Sequence, residues 1–142
     1  MSNNMSLLTF NGYSVDNFTY KRNYNFDESL NEDIKLKFKV NAESKMNNEK
    51  TEAIAKVCCT VFDQKFSDNK APFFLEISIS GHFEVENKDD EMTMEAFELN
   101  AVTILLPYLR SCITSFTAQA GISPVILPPV NVFQIMEEKN NK

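Results

Sequence analysis

Apolar and polar positions alternate along four stretches of the chain before the spacing lengthens to that of a helix. In the second stretch, Ile34, Leu36, Phe38 and Val40 alternate with Lys35, Lys37 and Lys39, which predicts a strand over 34–40 with one wet side. Upstream, Leu8, Phe10, Tyr13, Val15 and Phe18 mark a first strand region reaching about Arg22, interrupted at Gly12, where a bulge is expected. Asn23 to Asn31 is polar and turn-like, and Asn41 to Lys50 reads as a polar hairpin connection. Ala53, Ala55, Val57, Cys59 and Val61 share one face of a third strand. Ile54, Cys58 and Phe62 fall on its other face, which predicts cover on both sides for part of its length. The fourth stretch is the most regular. Phe73, Leu75, Ile77, Ile79, Phe83 and Val85 occupy odd positions, with Gly81 in phase; Glu76, Ser78, Ser80, His82, Glu84 and Glu86 occupy even ones, and Phe74 breaks the rule. So many large apolar side chains on one strand face require a cover, either a helix of the same chain or another subunit.

Beyond Asn87–Asp90 the period changes. Val102, Leu105, Leu106, Leu109, Ile113, Phe116 and Ala120 trace the apolar stripe of an amphipathic helix that Gly121 should stop. Pro107 lies inside the stripe and predicts a kink, or a helix start shortly before it. Pro124, Pro128 and Pro129 make 122–130 an extended segment, and Asn131 fits the N-cap of a short last helix over 132–139 in which Phe133 and Met136 are apolar. Strands followed by helices indicate an α+β fold: a four-stranded antiparallel sheet packed with one long amphipathic helix and a short C-terminal helix. At 142 residues this is a single domain, 1–142, and such a fold hides roughly 68–70% of the surface of its unfolded chain.

Charge and composition narrow the function. A net charge of -6 leaves no surplus of Lys and Arg to displace counterions from phosphates, which argues against nucleic acid. Phe supplies most of the large apolar surface, with 12 Phe, 4 Tyr and no Trp; besides filling a core, such side chains suit a groove that accepts varied apolar sequences. No basic segment followed by an apolar one opens the chain, and no uninterrupted apolar run approaches the ~20 residues of a membrane span, so a cytoplasmic location is expected. Cys58, Cys59 and Cys112 then read as small buried residues in a reducing compartment.

Catalytic chemistry lacks its parts. The one histidine, His82, shares a strand face with Glu76, Ser78, Ser80 and Glu84, but residues spaced by two along a strand stand some 6–7 Å apart in a line and do not converge on one atom. With one His and adjacent Cys58–Cys59, zinc ligands lack usable spacing, and glycines only at 12, 81 and 121 allow no phosphate loop. Asp89–Asp90 and Glu137–Glu138 read as solvated surface. The chain reads as a binder, not an enzyme, with no cofactor or metal.

One segment narrows this further. Asn100 to Phe116 reads N-A-V-T-I-L-L-P-Y-L-R-S-C-I-T-S-F and resembles the SecB family, where a helix of the form N-x-L-F-P-Y-x-R-E-x-I is followed by a Gly and a segment of the form L-x-P-V-N-F. Pro107, Tyr108, Arg110, Ile113, Thr114 and Ser115 match, as do Leu127, Pro129, Val130, Asn131 and, one residue on, Phe133. The resemblance covers roughly Leu7 to Met136. It implies a cytosolic holdase that keeps secretory precursors unfolded, passes them to the motor ATPase of the secretion channel, and works as a homotetramer built as a dimer of dimers. It also implies that Leu75, Ile77 and Ile79 lie at or near oligomer contacts, and that Asp16 and Glu76 match acidic positions associated with motor docking. A further acidic position four residues beyond Asp16 is Tyr20 here, followed by Lys21 and Arg22, and the tail Glu138–Lys142 is not acidic overall. These departures weaken the motor-docking features and leave client binding untouched.

Two functions follow from the resemblance. The first is a general export holdase whose clients sit in an apolar groove between sheet and helices, with Phe62, Phe74, Phe83, Phe97, Leu106, Tyr108 and Ile126 as the expected lining. The second is a chaperone of the same fold dedicated to one client, such as the antitoxin of a toxin–antitoxin pair.

Overall fold

The most regular alternation produces the central strand. In a computed structural model that describes residues 8–26, 35–66, 71–86 and 93–140, Phe73–Val85 forms β4, hydrogen-bonded on both sides. Leu8–Arg22 (β1) and Glu52–Val61 (β3) flank it, and Phe38–Met46 (β2) pairs with β3, so the antiparallel sheet runs β1-β4-β3-β2. The chain then forms the long helix α1 (Met94–Gln119) and the short helix α2 (Val132–Asn140). This is the α+β architecture the sequence predicts.

One sheet face forms the core. Leu75, Ile77 and Ile79 of β4, Val57 and Val61 of β3, and Leu105, Leu109 and Ile113 of α1 are fully enclosed. Helix and sheet meet closely at Gly81: a Cβ there would lie 2.7 Å from Cδ2 of Leu105, so a glycine in the apolar phase leaves the space the helix occupies. The helix runs through Pro107 and begins well before it, at Met94. Thr93 caps it, its Oγ1 accepting from the amide of Ala96 at 3.0 Å. Burial of Leu105, Leu106 and Leu109, about 1.5–3 kcal/mol each, outweighs the ~3 kcal/mol that an interior proline costs. Gly121, at φ 84°, follows the helix as its expected stop.

Irregularity in β1 sets which side chains face the helix. Gly12 adopts φ 106°, and the register steps from Phe10 opposite Phe83 to Tyr13 opposite Gly81, the expected bulge. A second irregularity, between Val15 and Asn17, restores Phe18 to the helix side opposite Ile77.

Two strand expectations require correction. The second strand lies further along than predicted: 35–37 are outside any strand, Ile34 falls outside the described residues, and 41–46 pair with β3 as far as Met46 opposite Ala53. Small Ala42 and Ser44 on the inner side hide the alternation there. The turn is shorter, closed by Asn47, whose Oδ1 accepts from the amides of Thr51 (2.8 Å) and Glu52 (3.1 Å). On β3, the outward Ile54 is exposed and Cys58 half-buried, so cover on that face extends over part of the strand. Phe62 leaves the strand at φ 64° and turns inward, its ring 5.2 Å from that of Phe73 at 84°.

Candidate functional site

The segment after α1 is held by one polar face of that helix. Arg110 Nη2 donates to the carbonyl of Leu127 (3.0 Å), and Thr114 Oγ1 donates to the carbonyl of Val125 (2.8 Å). Thr117 Oγ1 donates to Ile113 and accepts from the amide of Val125, each near 2.8 Å at most. Residues 110, 114 and 117 share a helix face by their spacing, and together they satisfy a proline-interrupted backbone that cannot pair with itself. Val125 and Leu127 consequently point into the core while Ile126, 72% exposed, points away. Arg110 Nε remains buried without a hydrogen-bond partner among the described residues.

This segment delivers the chain to α2, which Asn131 caps as expected, its Oδ1 accepting from Gln134 at 3.3 Å. The helix turns Ile135 inward and leaves Phe133 exposed, so neither of the two apolar residues named from sequence is its core contact. Between edge strand β2 and α2 lies a cavity of about 630 Å³ with a floor of Phe38, Val40, Val130 and Ile135 and a rim that includes Lys39 and Glu138. Its size and its largely apolar floor are those of a binding groove. At the other end of α2, Lys139 Nζ donates to both carboxylate oxygens of Glu98 at 2.7 Å, and Ser44 Oγ of β2 donates to the same carboxylate. Glu98 is 3% exposed.

The outer sheet face is polar. Ser80 donates to Asp16 there, and a shallow cavity of about 410 Å³ is lined by Asn17, Glu43, Lys56, Cys58, Glu76 and Ser78. Burial raises the Cys58 thiol pKa above its ordinary value, with the charge of Glu76 adding to the effect. On the inner face, burial pushes Cys59 up to about 12. Neither thiol is poised as a thiolate nucleophile at neutral pH. His82 is exposed on the outer face, and among the described residues no three side chains are grouped to hold a metal ion.

A third surface runs along the β1 edge. Tyr13, Val15 and Phe18 are 36–41% exposed, and Tyr108 of α1 is 39% exposed. The rings of Tyr13 and Tyr108 lie 4.8 Å apart and those of Phe18 and Phe116 4.6 Å apart. The Tyr13 hydroxyl is 3.7 Å from Cys112 Sγ, and that hydrogen bond is the main reason its pKa is raised. Together these residues form an apolar strip beside a strand edge that is unpaired among the described residues.

The residues singled out from sequence divide accordingly. Phe74, Phe83, Phe97 and Leu106 are buried, none more than 7% exposed. Tyr108 belongs to the β1 strip, Ile126 to the outside of the extended segment, and Phe62 packs on Phe73. Leu75, Ile77 and Ile79 have no exposed surface at all: α1 of their own chain is the cover that the strand face required, so they present nothing to a second subunit. The β2–α2 groove went unseen because Phe38, Val40, Val130 and Ile135 are scattered through the sequence and each looks like an ordinary core residue.

The family model of the preprotein translocase subunit SecB matches residues 14–142. The chain belongs to the SecB family. A protein-export protein SecB from Dichelobacter nodosus is 26% identical over 114 residues, covering 80% of this chain and 71% of that one. An uncharacterized protein from Methanocaldococcus jannaschii is 33% identical over 132 residues, covering 91% and 82%. Among solved structures, a SecB-like chaperone from Mycobacterium tuberculosis, in complex with a ChAD peptide from the HigA1 antitoxin, shares the fold at a TM-score of 0.66 and 11% identity over 89% of each chain. A protein of unknown function from Streptococcus agalactiae gives a TM-score of 0.51 at 18% identity, covering 86% of this chain and 97% of that one. SecB members are chaperones and not enzymes, and the resemblance read from the P-Y-x-R and P-V-N residues is thereby established for the chain. In this chain those SecB motif residues do structural work: Arg110 and Thr114 fasten the backbone that Pro129, Val130 and Asn131 continue into α2. Helix α1 is also long and apolar enough to cross a membrane, yet its apolar stripe is packed on its own sheet.

Proposed function

We propose that this SecB-family protein is a cytoplasmic holdase that binds extended apolar segments of unfolded polypeptides in the groove between β2 and α2. The supporting observation is the groove itself, a cavity of about 630 Å³ with an apolar floor and a mixed-charge rim, beside an edge strand. A client side chain entering it would gain about 25 cal/mol per Å² of apolar surface buried, before the cost of ordering the chain is subtracted. The protein's net charge of -6 favours clients with basic residues among the apolar ones. The working form in this reading is a homotetramer assembled through the β1 strip, with Asp16 and Glu76 on the open sheet face toward the secretion motor.

The test is suppression of aggregation of a chemically unfolded client. Phe38→Glu and Val130→Glu, each placing a carboxylate at a half-buried position on the groove floor, should abolish protection while the far-ultraviolet spectrum stays folded. Undiminished protection by both variants would refute the groove.

A second reading is a chaperone dedicated to one client. It is favoured by Tyr20, Lys21 and Arg22 near the motor-docking positions and by the antitoxin peptide held by the M. tuberculosis structural relative. Client capture from the native host separates the two: one dominant partner supports the dedicated form, many precursors the general one.

A further inference from the structure

Helix α2 is short and weakly anchored by apolar burial. Nine residues are fewer than the ~12–15 at which isolated helices become even marginal, and among the described residues Ile135 is its one buried side chain, with Val132 partly buried against the core. Its two ends are held differently. The N-terminal half has the Asn131 cap and Ile135, both on the groove; the C-terminal end has Lys139, whose ammonium meets both oxygens of Glu98 at 2.7 Å. Glu98 projects from α1, its side chain is 4% exposed, and Ser44 of β2 donates to it as well. One carboxylate therefore joins α1, β2 and α2, the last two being the walls of the groove. Glu138, which lines the groove, is next in sequence to Lys139.

We propose that Glu98 and Lys139 are positioning residues for client binding: their ion pair fixes the C-terminal end of α2 and so sets the width of the β2–α2 groove. This rests on that groove being the client site. The buried carboxylate is held in place by Ser44, so the pair loses less to side-chain ordering than two free surface charges do. A groove wall fixed before the client arrives saves the cost of fixing it on binding.

The test uses Lys139→Met, which keeps the stem and removes the charge at a 38% exposed position, and Lys139→Arg, which keeps a donor pair for the carboxylate. Two measurements are made on each: hydrogen exchange of the α2 amides, and affinity for an uncharged, unfolded peptide rich in leucine, valine and phenylalanine. Lys139→Met should speed α2 exchange and raise the peptide Kd by about three- to tenfold, with exchange in β3 and β4 unchanged, and Lys139→Arg should restore both. Unchanged α2 exchange in Lys139→Met overturns the proposal. So does a loosened α2 that binds the peptide as tightly as before. If the unaltered protein does not bind the peptide, the groove reading fails and takes the positioning role with it, whereas faster α2 exchange in Lys139→Met would still establish the pair as the anchor of the helix.

Discussion

Arg110 and Leu127 are joined by a hydrogen bond of 3.0 Å from guanidinium to backbone carbonyl, across 17 residues of sequence and between a helix and an extended segment. The extended segment 122–130 contains three of the chain's five prolines and forms no strand, so its buried backbone groups depend on α1 side chains for partners. Replacing Arg110 by Met should cost about 1–3 kcal/mol, because the Leu127 carbonyl loses its donor. Thr117→Val should cost a similar amount by orphaning the buried amide of Val125. Urea denaturation checks both. A change below the error of the measurement for each would mean that water replaces these bonds without loss.

Ile77→Arg tests the reassignment of the β4 face. Ile77 is fully enclosed by its own chain, so the substitution buries an unpaired charge. We expect no folded soluble protein, rather than a smaller assembly of folded subunits. Recovery of a folded monomer or dimer, seen by light scattering and circular dichroism, would return this face to a subunit interface.

The β1 strip yields the opposite expectation. Val15 and Phe18 are 41% and 37% exposed, so a charge at either position meets water in the isolated chain. Val15→Arg with Phe18→Glu should leave the fold intact at a cost of about 1–3 kcal/mol, chiefly from the lost Phe18–Phe116 ring contact, and reduce the assembly to smaller units. An unaltered mass by light scattering would place the subunit contact elsewhere.

Cys59 gives the stability a defined pH dependence. Burial raises its pKa from 9.0 to about 12, so between these values the unfolded chain releases a proton that the folded chain retains. Its contribution is complete below pH 9 and declines as pH rises toward 12, by about 1.4 kcal/mol per pH unit. Cys59→Ala should be the less stable protein at pH 8, and the gap should narrow above pH 9. Denaturation profiles for the two proteins that run parallel from pH 8 to pH 11 would show that the thiol is not desolvated as described.

Much of the architecture was legible because it rests on local period. The odd-position apolar residues from Phe73 to Val85 and the stripe from Val102 to Phe116 each specify an element and its inner face. Gly12, Gly121 and Asn131 announce a bulge, a helix end and a cap through their own backbone and side-chain preferences. The start of β2 was misread because 35–37 alternate well yet lie outside the strand, while 41–46 pair well on small side chains. Pairing is decided by the neighbouring strand and not by the pattern of one strand alone.

The sequence by itself determined the α+β class, the inner faces of β3, β4 and α1, and a SecB resemblance carried by Pro107, Tyr108, Arg110 and the P-V-N residues. Those properties depend on residues close together in the chain or on a recognisable order of residue types. Only the tertiary structure decided what covers an apolar face. It placed α1 over Leu75, Ile77 and Ile79, left Tyr13, Val15 and Phe18 half-exposed at an edge, and assembled a groove from Phe38, Val40, Val130 and Ile135. An apolar side chain is driven out of water equally by its own core, a partner or a client, since the hydrophobic effect has no direction. Which of these takes it depends on how the elements pack, and periodicity carries no record of that.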